Sequence, residues 1–302
     1  MKSLFALLAG SVVALGVASA HAASVESQFF IGEVNQGSDN SAEYLINGAT
    51  STGVTTVDVG DRLRGMFDVN TVEDLTGGGG TNSLGLASGN NEWAGVFEIE
   101  VLTKAADGAG GFDYTFGPSA SFTATYGAGA MIAMYEDATI EFTRLSADDG
   151  APDTGVGPFA SEEALIANVT DSTLRWVLGF GLDDDELWAA NADSDDIAVI
   201  GAVAPPGNGG TVNFQVSILQ NFFNTTFAQV GATLAVGTDG LIDVNGSGNL
   251  LGIAGATTPF DSFDNFDFVF APESIIPEPA TVTLMGLGLV ALAGAARRRQ
   301  RA

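Results

Sequence analysis

Carboxylates are the one chemically capable group that this chain holds in quantity. Its 302 residues include 37 Asp and Glu against 10 Lys and Arg, with a single His and no Cys. The densest run, residues 183–196 (DDDELWAANADSDD), carries seven acids and no base. Left alone, such groups raise one another's pKa and favour an open, solvated loop; given an oxygen-loving cation, they become ligands. Asp183, Asp184, Asp185, Asp193 and Asp195 are therefore candidate calcium ligands, with a solvated acidic loop as the other reading. A second candidate is Asp243-Val-Asn245-Gly-Ser247-Gly248, which places oxygen side chains at positions one, three and five of a calcium loop and Gly at six. Position twelve is Ala254, where a bidentate glutamate belongs, and the flanks read as strands. A glycine-rich hairpin turn competes there with a weak calcium loop.

Two other chemistries use the same residue types. A pair of facing carboxylates makes a glycosidase, but among so many acids no pair is singled out by spacing. Exposed aromatics stack on sugar rings in lectin-like modules. Of Trp93, Trp176 and Trp188, the last sits inside the acidic run and is the one expected to be exposed. Core packing is the competing reading for all three.

What is missing narrows the field further. The only histidine, His21, lies near the N-terminus, so Ser-His-Asp and Cys-His catalysis and His- or Cys-based zinc sites have no material in the rest of the chain. The expectation is a protein that is not an enzyme. Between the two chain ends there are 36 acidic residues against five basic ones (Arg62, Arg64, Lys104, Arg144, Arg175), a surface that repels phosphate backbones and excludes nucleic acid. The same charge suits divalent cations. Calcium is thus the one cofactor that the composition invites.

The elements that must position these groups read as strands. Alternating or apolar runs at 28–34, 61–69, 93–102, 112–116, 121–126, 130–135, 139–145, 174–180, 197–203, 211–219 and 265–270 are separated by Gly, Asn and Asp turns, with shorter candidates at 234–236, 241–244 and 249–253. Residues 161–169 (SEEALIANV) form the best helix, capped by Ser161 and with two glutamates in the positive first turn. The four glycines at 77–80 are followed by no Lys-Ser or Lys-Thr, so they read as a loop and not as a phosphate cradle. Short, regularly spaced strands predict an all-β domain over residues 23–276, a two-sheet β-sandwich or jelly roll with one or two short helices.

The two ends carry sorting information. Lys2, an uncharged run from Leu4 to Val17 and the small residues Ala18-Ser19-Ala20-His21-Ala22 make residues 1–22 a secretory signal peptide. At the other end, Pro277-Glu278-Pro279 precedes seventeen uncharged residues at 280–296, and Arg297, Arg298, Arg299 and Arg301 follow. As a helix this run is about 25 Å long, against a hydrocarbon core of roughly 30 Å, and the arginines favour the cytoplasmic side. The two prolines keep the segment before it extended.

This order of Pro-Glu-Pro, a short apolar span and a terminal Arg cluster resembles the PEP-CTERM sorting signal of bacterial exported proteins, over residues 277–302. The resemblance implies recognition of Pro277, Glu278 and Pro279 by an exosortase, a membrane-embedded protease, with the inner membrane as a transient partner and the four arginines as the cytoplasmic anchor. It also implies a cell-surface or extracellular destination in a bacterium with an outer membrane, and association with extracellular polysaccharide or biofilm matrix. An uncut single-span anchor is the other reading of the same residues.

Overall fold

The computed structural model describes residues 23–275 except 86–87, 89, 139–161, 182, 201–208, 235 and 251–260. The expected signal peptide, the strand at 139–145, the cap Ser161 and everything from Pro277 onward lie outside the described residues. No helix among those described is long and apolar enough to cross a membrane. The strands are β1 (Asn35–Ile46), β2 (Arg62–Asp74), β3 (Thr81–Ser83), β4 (Glu92–Ala106), β5 (Phe112–Pro118), β6 (Ala130–Asp137) and β7 (Thr173–Gly179). They continue with β8 (Leu187–Ala192), β9 (Gly210–Asn221), β10 (Thr225–Ala228), β11 (Val230–Gly231), β12 (Leu241–Ile242), β13 (Val244–Leu250) and β14 (Ser262–Ile275).

The all-β expectation holds, but the two separate sheets do not appear. Twelve strands form one hydrogen-bonded sheet, and β11 pairs with β12 apart from it. The main ladder runs β2-β1-β14-β13-β9-β7-β6-β4, and β4 then pairs back onto β2, with Arg62–Asp68 opposite Glu100–Ala94. Every pair in this ring is antiparallel, so eight strands close on themselves. A second bridge, β4-β5-β8-β9, joins the other halves of the same long strands. At 15 and 12 residues, β4 and β9 are long enough to serve both bridges, which is why the sheet branches instead of splitting in two.

Period-two alternation then sorts side chains between an inside and an outside. Phe67 and Val69 of β2, Phe97 and Ile99 of β4, Trp176 of β7, Phe214 and Val216 of β9, and Phe268 and Phe270 of β14 share the interior cluster. Met66, Ala94, Val96, Ala133, Tyr135 and Val177 face the other way, under Phe122 of α1 (Ala120–Tyr126) and Ile166 and Val169 of α2 (Glu162–Thr170).

Large rings fit the closed interior because glycines stand directly opposite them. Gly37 faces Phe268, Gly65 faces Phe97, Gly95 faces Phe67 and Gly246 faces Phe214, each across one pair of neighbouring strands. A methyl group on any of these glycines would collide with the ring it faces.

Several local expectations are corrected. The alternation at 121–126 predicts a strand, yet it forms α1: the Ser119 hydroxyl accepts from Phe122 N–H and caps it, and Phe122 meets Tyr126 one turn later with ring centroids 4.4 Å apart. Residues 28–34 form no strand: Gln28 ends a short 3₁₀ segment (Val25–Gln28) and 29–34 run through bends and a turn, and the first strand is β1, whose polar N-terminal half hid it from a hydrophobicity reading. Residues 197–200 form turns, not a strand. Residues 183–196 are not one loop, since β8 runs through their centre.

Adding a methyl group opposite a packed ring should therefore be costly. Gly95→Ala and Gly246→Ala are each expected to lower unfolding free energy by about 1–3 kcal/mol in urea melts. The exposed Gly231, with nothing within 4 Å of an added Cβ, serves as the control and should change little.

Candidate functional site

Part of the acidic run does converge, together with a residue that the sequence reading did not pick. The chain turns after β7 through Gly181 and Asp183 before entering β8, and a second turn at 236–240 leads into β12. Asp183, Asp185 and Asp239 each bring one carboxylate oxygen within 4.8 Å of the others. Asp185 is fully buried, and its carboxylate accepts from Gly237 N–H at 2.7 Å and Gly240 N–H at 2.9 Å. Burial opposes its ionisation, but those two amides, a hydrogen bond with Asp239 and the Leu241 amide outweigh it and hold its pKa below the usual carboxylate value.

The rest of the site fixes these carboxylates. Asp183 accepts from the Asp185 amide at 2.9 Å and from Gln229 Nε2 at 2.8 Å, and Asp239 accepts from Leu241 N–H at 3.1 Å. The fully buried Gln215 of β9 donates to the carbonyls of Asp185 and Leu234, at 2.6 and 3.0 Å, and accepts from Leu234 N–H, tying the two turns to the sheet. Glu186 accepts from Gly181 N–H and from Ser217 Oγ, at 2.6 and 2.7 Å. Asp243 accepts from Ile218 N–H at 2.8 Å, and its pKa is raised by burial first and then by Asp183 and Glu186. Three oxygens at this spacing match the hard-ligand chemistry of a calcium or magnesium ion.

The other sequence candidates do not join this group. Asp184 contributes no oxygen to it. Asp195 is taken by Lys104, whose Nζ lies 2.8 Å from it and 2.9 Å from Asp58. Asp58 is held down to about 2 by the Thr52 hydroxyl, the Thr52 amide and Lys104. Asp193 sits at the end of β8, where its amide donates to Gly209. Asn245 and Ser247 lie on β13, where alternate side chains are spaced at roughly 7 Å along the strand and cannot wrap one ion with Asp243. Asn245 instead donates to the Gly231 carbonyl and to Thr233 Oγ1, at 3.1 and 2.5 Å. Trp188 is only 5 % exposed and packs between Phe97 and Phe214, with Trp93 and Trp176 also buried, so no indole among the three offers a sugar platform. Asp239 was readable only as half of an Asp-Gly turn; nothing in the sequence links it to Asp185 fifty-four positions earlier.

One close carboxyl pair lies inside the closed ladder. Glu43 of β1 and Asp264 of β14 are 4 % and 9 % exposed and hydrogen-bond to each other, and Ser41 Oγ donates to Glu43 at 2.9 Å. Direct hydrogen bonding puts the two carboxyls nearer than the separations of about 5–5.5 or 6.5–9.5 Å that glycosidases use. Burial lifts Asp264 to about 7, against the opposing effect of the Glu43 hydrogen bond.

Comparison with known families places the PEP-CTERM protein-sorting motif at residues 276–300, immediately after β14 ends at Ile275. The chain therefore carries that sorting motif at its C-terminal end. Comparison with curated proteins gives no match.

Two measurements follow from this geometry. Millimolar calcium is expected to raise the melting temperature of the protein, and Asp239→Asn, which leaves the buried Asp185 in place, is expected to abolish most of that rise; an equal rise in both proteins would count against the three-carboxylate site. For Asp264, the raised pKa contributes stability that is complete below the unfolded value of 3.8 and lost as pH climbs through about 7. Urea melts should thus show wild type losing stability relative to Asp264→Asn between about pH 4 and 7, with the difference constant at higher pH.

Proposed function

We propose that this chain is a non-enzymatic, acidic component of the extracellular polysaccharide or biofilm matrix, delivered to the surface of a bacterium with an outer membrane by an exosortase-type system. The sorting motif at residues 276–300 carries this reading, since it marks the chain as a substrate for exosortase processing and an extracellular or cell-surface destination. The upstream charge supports it. With 36 acids against five bases, the exported part stays soluble and self-repelling, and divalent cations are the natural bridge between it and other acidic polymers.

The motif and the fold meet almost without a spacer. Ile275 is paired with Thr225, and only Ile276 separates β14 from Pro277. Residues 276–279 span at most about 14 Å when fully extended, so the folded domain stands close to the bilayer while the apolar run is inserted. Cutting at or after Pro277 leaves β14 whole. Cutting before Ile275 would remove a strand that pairs with β1, β10 and β13.

Mass spectrometry of the protein recovered from the cell surface or medium tests the sorting step. The expected chain starts after residue 22 and ends between residues 276 and 280. An intact Arg297–Arg301 terminus on the surface-exposed form would establish an uncut anchor instead. For the matrix role, enzymatic digestion of the polysaccharide is expected to release the protein from the cell-associated fraction; a protein equally retained after digestion would refute it.

A further inference from the structure

Both ends of the described chain leave the closed ladder on the same side. Ile275, the last residue of β14, pairs with Thr225, the first of β10. At the other terminus, the Ala23 carbonyl accepts from Asn91 N–H, just before β4, and the buried Val25 N–H donates to Glu136 of β6, each at 2.9 Å. Glu26 then accepts from Thr225 Oγ1 at 2.5 Å, so the residues next to the signal peptide touch the strand that holds the end of β14. Antiparallel pairing puts the starts of β1, β4 and β7 and the finishes of β2, β6, β9 and β14 at this one end.

The lengths of the two connections decide which end meets the membrane. Residues 276–279 reach at most about 14 Å and residues 18–22 at most about 18 Å. Strands of 12 and 13 residues, tilted as closed sheets require, put the far end roughly 30 Å away. Either membrane segment therefore holds the near end at the bilayer.

Three exposed apolar side chains lie at that end. Ile31 is 38 % exposed, and its neighbour Gly32 donates to Pro272 O at 2.7 Å. Leu75, 49 % exposed, follows β2 and donates to Val34 O at 2.9 Å. Phe222, 48 % exposed, sits in the turn that leads into β10. Phe29 and Phe223, with ring centroids 5.2 Å apart, join the Ile31 and Phe222 segments beneath the surface. Single exposed apolar residues are ordinary. What sets these apart is their position at the point where the chain enters the bilayer.

We propose that this end of the ladder is a docking surface for a zwitterionic phospholipid bilayer, on which the membrane-held precursor stands upright with Ile31, Leu75 and Phe222 in the headgroup layer. The inference rests on the sorting reading above, which puts residues 280–296 in the membrane. Apolar side chains gain by leaving water at that depth. Glu33, Asp74 and Glu273 share this end, and their charge favours a lipid surface without net negative charge. The contact holds the exit of β14 at a fixed height while the tail is attached, and cutting the tail removes the tether that reinforces it.

Because the chain has no Cys, a dye can be placed at one site at a time. Residues 23–302 are set in phosphatidylcholine nanodiscs that carry a nitroxide on the headgroup, with nitrobenzoxadiazole at Asn224→Cys, beside Phe222, or at Val54→Cys, in the far loop between β1 and β2. Quenching at 224 is expected to exceed that at 54 by about threefold or more. Roughly twenty Gly and Ser residues inserted between Ile276 and Pro277, about 25 Å in root-mean-square length, should preserve about half of the quenching or more. Adding Ile31→Ser, Leu75→Ser and Phe222→Ser to that long-spacer chain should remove it; all three side chains are exposed, so the variant is expected to fold. Equal quenching at 224 and 54, its loss with the long spacer alone, or its survival in the triple variant would each overturn the docking surface. A dye at Ala291→Cys, read against a nitroxide on the acyl chain, separates the two readings. No quenching there refutes insertion of the sorting tail itself, whereas quenching at 291 with none at 224 refutes the docking surface alone.

Discussion

Closing a sheet of eight strands leaves a fixed interior, and the size of the side chains that must share it constrains everything else in this molecule. Glycine opposite phenylalanine is how the conflict is resolved. Where Gly37, Gly65, Gly95 and Gly246 stand across from Phe268, Phe97, Phe67 and Phe214, the ring takes the space that two side chains would otherwise contest. The ladder can then close through β2 and β4 with its aromatic content inside. A closed ladder has no exposed central edge, which suits a protein that has no disulfide to hold it and works outside the cell.

Charge is distributed by the same logic. The described bases are all spent on internal ties: Arg62 and Arg64 reach Glu98, Lys104 joins Asp58 to Asp195, and Arg175 holds Glu136 at 2.7 Å. Glu98 shows the balance of forces. Burial raises its pKa, yet hydrogen bonds from Ser121, Ser119 and Arg62 more than reverse that, so it stays ionised beside the start of α1. With the bases used in this way, the other described acids rely on solvent, backbone amides, neutral side-chain donors such as Gln229 and Ser217, or each other. Acids meet each other in the Asp183–Asp185–Asp239 group, at a turn, and in the Glu43–Asp264 pair, in the interior.

The fold also bears on how the exported domain leaves the membrane. Its last strand is not a trailing edge but an inner rung, paired on both sides and along its end by β10. A sorting motif attached one residue beyond such a strand can be removed without disturbing the ladder. The chain end left behind is anchored by backbone hydrogen bonds up to Ile275.

The sequence by itself determined the all-β class, a helix read at 161–169 and found at 162–170, the exclusion of histidine and cysteine chemistry, and the sorting tail, because each of these is a local pattern: alternation, an apolar run behind two glutamates, the absence of a residue type, an ordered motif. It also located two of the three carboxylates of the acidic site, since Asp183 and Asp185 lie two positions apart in the chain. Tertiary structure alone decided that one ladder closes instead of two sheets stacking, because closure depends on β2 meeting β4 and on glycines falling opposite rings in neighbouring strands. It alone brought Asp239 to Asp185 and Glu43 to Asp264, pairs 54 and 221 positions apart, and it buried Trp188 behind an acidic run that reads as surface. Register between distant strands sets those meetings, and register is a property of the paired backbone that no single stretch of residues carries.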